Sequence, residues 1–262
     1  MAKSKEEPGT EIANWDEELA KYADAGAAAE TPSSSYLSLK SGILSMGGQP
    51  VPNNKLDGII LDAAYENTFY TEKYDANNLR TPACFALAQI TGDPEVDADI
   101  GPHPDSADPQ SDKCADCPRM KWRSDLWGGK GKACQERRRL LVIPADVVAE
   151  EANAHDKIIS AEVAVLKIPV MSVKYWGSYV QTLKTIHKRP PFAMVTTLST
   201  EPDAKSQFRL TYTPKAEIVA SLTPSLLAKR KASETILLKP YDAEESGEGE
   251  TAAPKENTKH GA

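Results

Sequence analysis

The sequence predicts a mainly β fold: a small barrel with one amphipathic helix ahead of its last two strands, a cysteine-bearing loop insertion, and acidic termini outside the fold. Three observations carry this. Short apolar segments with strand periodicity recur at 36–39, 43–46, 56–70, 82–89, 140–143, 160–168, 192–198 and 207–213. One segment, 172–188, instead has apolar residues at three- and four-residue steps. Both ends lack either pattern. Residues 1–35 hold eight acids against three bases and residues 241–262 six against two, a composition that cannot bury enough apolar surface to fold.

In chain order, Tyr36-Leu37-Ser38-Leu39 and Ile43-Leu44-Ser45-Met46 flank the turn signal Ser41-Gly42 and read as a hairpin closing at Gly47-Gly48. The 56–70 strand has Ile59, Ile60 and Leu61 at its buried centre and an aromatic tail of Tyr65, Phe69 and Tyr70. The third strand, 82–89, carries Cys84, and 90–109 is an irregular Asp/Pro/Gly-rich excursion. A short strand at 140–143, a brief helix at 146–154 and a strand at 160–168 follow. Val173, Trp176, Val180, Leu183 and Ile186 or His187 form the helical stripe, with Ser172 as cap and Pro190-Pro191 as stop. Two strands and a last helix at 224–235 complete the fold. Three strands, a helix and a closing pair is the arrangement of an oligonucleotide-binding barrel.

This gives three regions: an acidic leader at 1–35, a domain at 36–240 with an insertion at about 90–139, and an acidic tail at 241–262. The net charge of −7 resides in the ends, because residues 36–240 hold 24 acids and 26 bases. Inside the domain charge is segregated again. Residues 91–112 have seven acids and no base, residues 113–139 nine bases and three acids, and residues 167–189 five bases and no acid. No secretory signal and no membrane-length apolar run is present, so a soluble intracellular protein is expected.

In a reducing compartment, four cysteines with one close pair point to metal rather than disulfides. Cys114-Ala115-Asp116-Cys117 has the two-residue gap that turns two thiolates toward one ion, and Cys134 follows in a Gly-Lys-Gly-Lys-Ala-Cys turn. The fourth ligand of a tetrahedral zinc site is Cys84 or His103, and Cys84 closes the count at four thiolates. A redox Cys-x-x-Cys lacks its strand-then-helix context.

Around these cysteines, basic residues alternate with aromatic ones. Lys113, Arg119, Lys121, Arg123, Lys130, Lys132, Arg137, Arg138 and Arg139 are candidate phosphate contacts, and Trp122 is a face on which an unpaired base can stack. Arg137-Arg138-Arg139 leads into a strand, so only alternate members share a face. Trp127, beside Gly128-Gly129, reads equally as a stacking face or as the loop's own core. Tyr70, Tyr175 and Tyr179 are further candidates; Trp176 reads as core. Tyr74 is ambiguous.

No phosphate-binding Gly-x-x-x-x-Gly-Lys-Ser/Thr loop or Gly-x-Ser-x-Gly elbow occurs, so a non-enzymatic binding protein is expected. Two alternatives remain. Asp97, Asp99, Asp105, Asp108 and Asp112 could serve a metal-dependent nuclease or strand-exchange factor, and the aromatic surface could face a polymerase as an interaction module.

The segments YLSLKSGILSMGGQPVPNNKLDGIILDAAYENTFY, TPACFALAQ, DPQSDKCADCPRMKW, GKGKACQERRRLLVI and LKIPVMSVKYWGSYVQTL with PPFAMVTTLS together resemble zinc-containing single-stranded DNA-binding proteins of tailed bacteriophages. That resemblance, from about Tyr36 to Thr213, implies an OB-fold and one structural zinc on Cys84, Cys114, Cys117 and Cys134. It also implies coating of single strands in phage DNA replication, recombination and repair, in the cytoplasm of an infected bacterial host. The acidic tail would then meet replication or recombination proteins. The long Asp-rich loop at 90–112 departs from the pattern.

Overall fold

The computed structural model describes residues 36–73, 75 and 80–241, excepting the side chains of Tyr36 and Glu151. The leader at 1–35, Tyr74 and the tail from 242 onward lie outside the described residues. The chain divides after Ser34 into two units, and every described element belongs to the second.

The protein is mainly β. Nine strands form one strongly curled, half-barrel sheet: β1 (Tyr36–Lys40), β2 (Ile43–Met46), β3 (Gln49–Pro50), β4 (Lys55–Phe69), β5 (Cys84–Gln89), β6 (Cys134–Pro144), β7 (Ala164–Ile168), β8 (Met194–Asp203) and β9 (Gln207–Glu217). The ladder order is β3-β2-β1-β7-β6-β4-β8-β9, with β5 also paired to β4. Within it, β4, β6 and β7 are three successive antiparallel neighbours, and β8 returns to the free side of β4. That is a Greek key.

β4 organises the sheet. β6 runs along one edge, while β8 takes the first half of the other edge and β5 the second. At Gly58 a Cβ would stand 2.8 Å from Val142 Cγ1, so only glycine lets β6 approach. The register with β6 shifts between Ile60 and Asp62, a bulge that bends the strand and increases its twist. The curl carries the Ser41–Gly42 turn to β8, where Thr200 Oγ1 donates to Gly42 O at 2.6 Å. No ladder joins β3 to β9 among the described residues.

Helices cover both faces. α1 (Pro94–Ala98) lies in the acidic loop; α2 (Ala154–Ser160), α3 (Val173–Thr182), α4 (Thr223–Ala232) and α5 (Glu234–Leu237) pack on the sheet. Trp176, Tyr179 and Leu183, from α3 and the π turn after it, bury against Leu37, Ile60, Ala63, Leu140, Leu166 and Leu198. On the other face, Ile158, Leu222, Leu226 and Leu237 from α2, α4, α5 and the turn before α4 bury Ile59, Leu61, Ala64, Leu141, Ile143 and Val165. A sheet covered on both faces explains the near-continuous apolar runs in β4 and β6.

Four local expectations are corrected. The 146–154 helix is replaced by 3-10 turns at Ala145–Val148 and Glu151–Asn153. The predicted strand from 160 begins only at Ala164, because Ala154 and Ile158, four apart, wind into α2 to bury beneath α4. Ser172 does not cap α3 with its side chain; its hydroxyl instead accepts Leu210 N at 3.0 Å and satisfies an amide of β9. Finally, β6 begins six residues before the predicted 140–143 strand. No described helix is long and apolar enough to cross a membrane.

Candidate metal centre and nucleic-acid interface

Cys84 opens β5 and Cys134 opens β6, and both pair with Phe69 at the end of β4. Residues directly opposite one another project to the same face, so Cys84, Phe69 and Cys134 share one. Phe69 is buried beneath Ala133, Ala83 and Met120, with the Arg119 guanidinium 5.0 Å from its ring centroid.

The loop delivers the other two thiols. Its Asp-rich part is docked on β5: His103 N donates to Phe85 O at 2.7 Å, Asp108 N to Ala83 O at 2.8 Å, and Ser106 Oγ to Phe85 O at 3.0 Å. Cys114 N then bonds Ile100 O at 2.8 Å and Cys117 N bonds Cys114 O at 3.2 Å, a tight turn that holds the pair together. All four cysteines are free thiols and line one cavity of about 10 Å³ with Asn67, Phe69 and Met120, room for about one water-sized sphere.

Burial pushes the Cys134 thiol up to about 12, with Cys114, Cys117 and Cys84 adding to the effect. Burial likewise raises Cys114, against a hydrogen bond from Asn67. Thiols so shifted are poor nucleophiles in the metal-free protein. Among the described residues no group of three or more His, Cys, Asp or Glu side chains stands at formed metal-centre geometry. The cavity nevertheless brings the four thiols together, since each of the other three appears in the electrostatic surroundings of Cys134.

His103 lies elsewhere. Its ring stacks on Phe85, centroids 4.9 Å apart, and Phe85 points to the face opposite Cys84 because neighbours along a strand alternate. Its Nδ1 accepts Asp105 N at 3.1 Å.

Beyond the thiols, residues 118–133 form a braced tip. Ser124 Oγ donates to Arg119 O and accepts Ala133 N, both at 2.9 Å. Asp125 Oδ1 accepts the amides of Trp127 at 2.8 Å and Gly129 at 2.9 Å, and Gly128 takes φ +83°, the left-handed region glycine favours. This turn presents Trp122, 75% exposed, and Trp127, 44% exposed. Lys121, Arg123 and Lys130 are exposed around them. Trp127 is therefore not the core of the loop. Lys132 is half-buried, paired with Glu136, its ammonium 5.8 Å from the Trp122 ring centroid.

Other predicted contacts are not part of this surface. Arg137 and Arg139 are buried at 8% and 3% exposure, on the face opposite Cys134. Arg139 Nε bonds Glu66 Oε1 at 2.6 Å, and its Nη1 reaches Lys239 O at 2.5 Å. Glu66 is fully buried; desolvation would raise its pKa, but Arg139, Lys167, Arg137 and Tyr241 outweigh this and hold it below the ordinary range. Arg139 is thus a core cation, and Arg137 hydrogen-bonds Gln135 beside it. Tyr241, assigned by sequence to the tail, donates its hydroxyl to Glu66 at 2.7 Å.

Tyr179 is also buried, its hydroxyl bonded to Thr196 Oγ1 and its ring stacked on Tyr212 at 5.5 Å. Tyr175 is half-exposed between Lys174 and Arg209, 4.7 and 5.1 Å from its centroid, at the sheet end away from the thiols. Tyr70 is half-buried just past β4. The acidic side chains are dispersed: Asp97 accepts from Thr91 and Tyr65, Asp99 pairs with Lys113, and Asp108 accepts from Gln110.

The sequence offers Arg138 only as one of nine basic residues and does not pair it with Tyr65. Cys134, Glu136, Arg138 and Leu140 have one parity, so fixing Cys134 to the thiol face selects Arg138 over both its neighbours. Its guanidinium lies 4.2 Å from the Tyr65 ring centroid.

No protein-family model matches this chain, and no similar curated protein or solved structure was found.

Proposed function

We propose that this protein binds single-stranded DNA with little sequence preference, through a zinc-stapled tip on an OB-like half-barrel. The observation that carries the reading is the braced turn exposing Trp122 and Trp127 among Lys121, Arg123 and Lys130. Single strands need that combination, since every base offers a π face and every nucleotide a charge. Large exposed aromatics on a rigid turn otherwise cost solubility without return.

The Greek key of β4, β6, β7 and β8, with α3 before the final hairpin, supports the OB-like reading. OB barrels bind ligand with the loop joining their first two strands, and the thiol module occupies the connection from β4 to β6. The outer face of β4 and β6, however, is sealed by α2, α4 and α5, which directs binding to the tip.

Cys84, Cys114, Cys117 and Cys134 would hold the zinc. Four thiols around a cavity of about 10 Å³ fit a closed structural site. Bound zinc would keep the sulfurs as thiolates and tie the loop pair to the strand pair. The chain's own residues brace the tip through Ser124 and Asp125 whether or not a partner is present.

Intrinsic tryptophan fluorescence tests the reading. Quenching on addition of oligo-dT, absent with duplex of the same length, is expected, because Trp122 and Trp127 are exposed while Trp176 is buried. Equal response to both would contradict it.

A further inference from the structure

The geometry points to Arg138, stacked on Tyr65, as a second phosphate contact for a single strand that leaves the Trp122 tip along the thiol face of the sheet. This rests on the single-strand reading above and extends its footprint.

Three observations lead there. First, position: Cys134, Glu136 and Arg138 succeed one another on one face of β6, opposite Phe69, Asn67 and Tyr65 of β4. Two-residue steps along a strand span about 7 Å each. Lys132 pairs with Glu136 and approaches the Trp122 ring, so the tip and Arg138 are linked by a short row of side chains. Beyond Arg138 the same face closes into the core at Leu140 and Ala63, which sets the inner limit of the track.

Second, pairing: Arg138 Nη1 donates to Arg137 O at 2.8 Å, and no carboxylate lies within ion-pair distance of it among the described residues. The two acids that face it are otherwise engaged, Glu136 by Lys132 and Asp97 by Tyr65 and Thr91. Burial lowers the Arg138 pKa, and Tyr65, Glu136 and Asp97 only partly compensate. A partly desolvated cation without an anion gains most from one arriving. Buried Arg139, by contrast, is already satisfied by Glu66.

Third, presentation: Tyr65 is half-buried, and its hydroxyl donates to Asp97 Oδ2 at 3.2 Å. The ring is thereby fixed as a platform that orients the planar guanidinium, leaving the donors other than the one on Arg137 O to fork onto phosphate oxygens.

The test is salt-titrated anisotropy with labelled oligo-dT on zinc-loaded full-length protein, comparing wild type, Arg138→Gln, Arg138→Lys, Trp122→Ala and the remote control Lys157→Gln. Losing one phosphate contact should lower the slope of log K against log salt by about 0.7 for single strands. Arg138→Gln is expected to show that change and about tenfold weaker binding at moderate salt, with Lys157→Gln unchanged. Arg138→Lys should keep the slope and lose part of the affinity, since the charge stays and the stacked fork goes. If Arg138→Gln loses zinc or melts early, Arg138→Lys decides: affinity equal to wild type overturns the inference. A wild-type slope in folded Arg138→Gln, with Trp122→Ala weakened, also overturns it and leaves the single-strand reading standing. Failure of wild type to prefer single strands removes both.

Discussion

Cys84 and Cys134 enter the same face of the sheet from β5 and β6, one on either side of Phe69. Two strands separated by β4 therefore supply two sulfurs on a rigid base, and the turn at Cys114–Cys117 closes over them. Half of the proposed zinc site is sheet and half is loop. The metal would thus fasten the insertion to the fold rather than hold up a domain of its own.

Cys114→Ser should therefore lose zinc and loosen the tip while leaving the sheet intact, because the two cores lie apart from the thiol cluster. Elemental analysis and far-UV circular dichroism check this. Wild type should carry zinc and the variant little, with secondary structure retained and a lower melting temperature. A metal-free wild type of full stability would remove zinc from the account.

Trp122→Ala and Trp127→Ala should each weaken oligo-dT binding by about 1–3 kcal/mol, the usual worth of a base–aromatic stack. Neither should shift the melting temperature appreciably, since exposed side chains contribute little to folding. Calorimetry and titration on the same samples separate the two effects. Loss of stability without loss of binding would mean that these rings pack rather than stack.

Tyr179→Phe and Arg139→Gln address residues that sequence periodicity offers as DNA contacts and the structure buries. Tyr179→Phe should cost about 0.5–1.5 kcal/mol of stability through its bond to Thr196. Arg139→Gln leaves Glu66 buried without its closest cation and should cost about 3–5 kcal/mol. Chemical denaturation measures both. Oligo-dT affinity, measured below the unfolding range, should be unchanged for Tyr179→Phe.

Glu66 gives a pH dependence. Its folded pKa lies below the ordinary value of 4.5 because Arg139 and its neighbours outweigh burial. A carboxylate with a depressed folded pKa contributes stability that is fully present above the unfolded pKa and lost as pH falls through the folded one. Stability should therefore fall in acid below about pH 4.5. Glu66→Gln, weaker at neutral pH, should show less of this loss, so denaturation midpoints of the two proteins should converge on acidification.

Much of this was legible in the sequence because it is periodic or local. The β1–β2 hairpin, β4 and the α3 stripe follow from side-chain spacing, and the Cys114–Cys117 gap marks the loop half of the proposed zinc site without reference to anything distant. What was not legible depends on partners far along the chain. Glu66 and Arg139 are 73 residues apart, so QERRR read as a charged surface although it is the first half of β6. The same run disguised the parity that puts Arg138 on the thiol face. The bracing of Trp127 by Asp125 hid in a segment that composition alone leaves open between core and surface. Sealing of the outer face by α4 and α5 could not be read from either helix by itself.

The measurement that bears most directly on the central claim is a competition of oligo-dT against duplex DNA across a salt series, on one preparation whose zinc content is known. The account predicts strong preference for the single strand at moderate salt, a steep fall in affinity as salt rises, and loss of the preference when zinc is stripped. Equal affinity for duplex and single strand, or a preference indifferent to both zinc and salt, would contradict it.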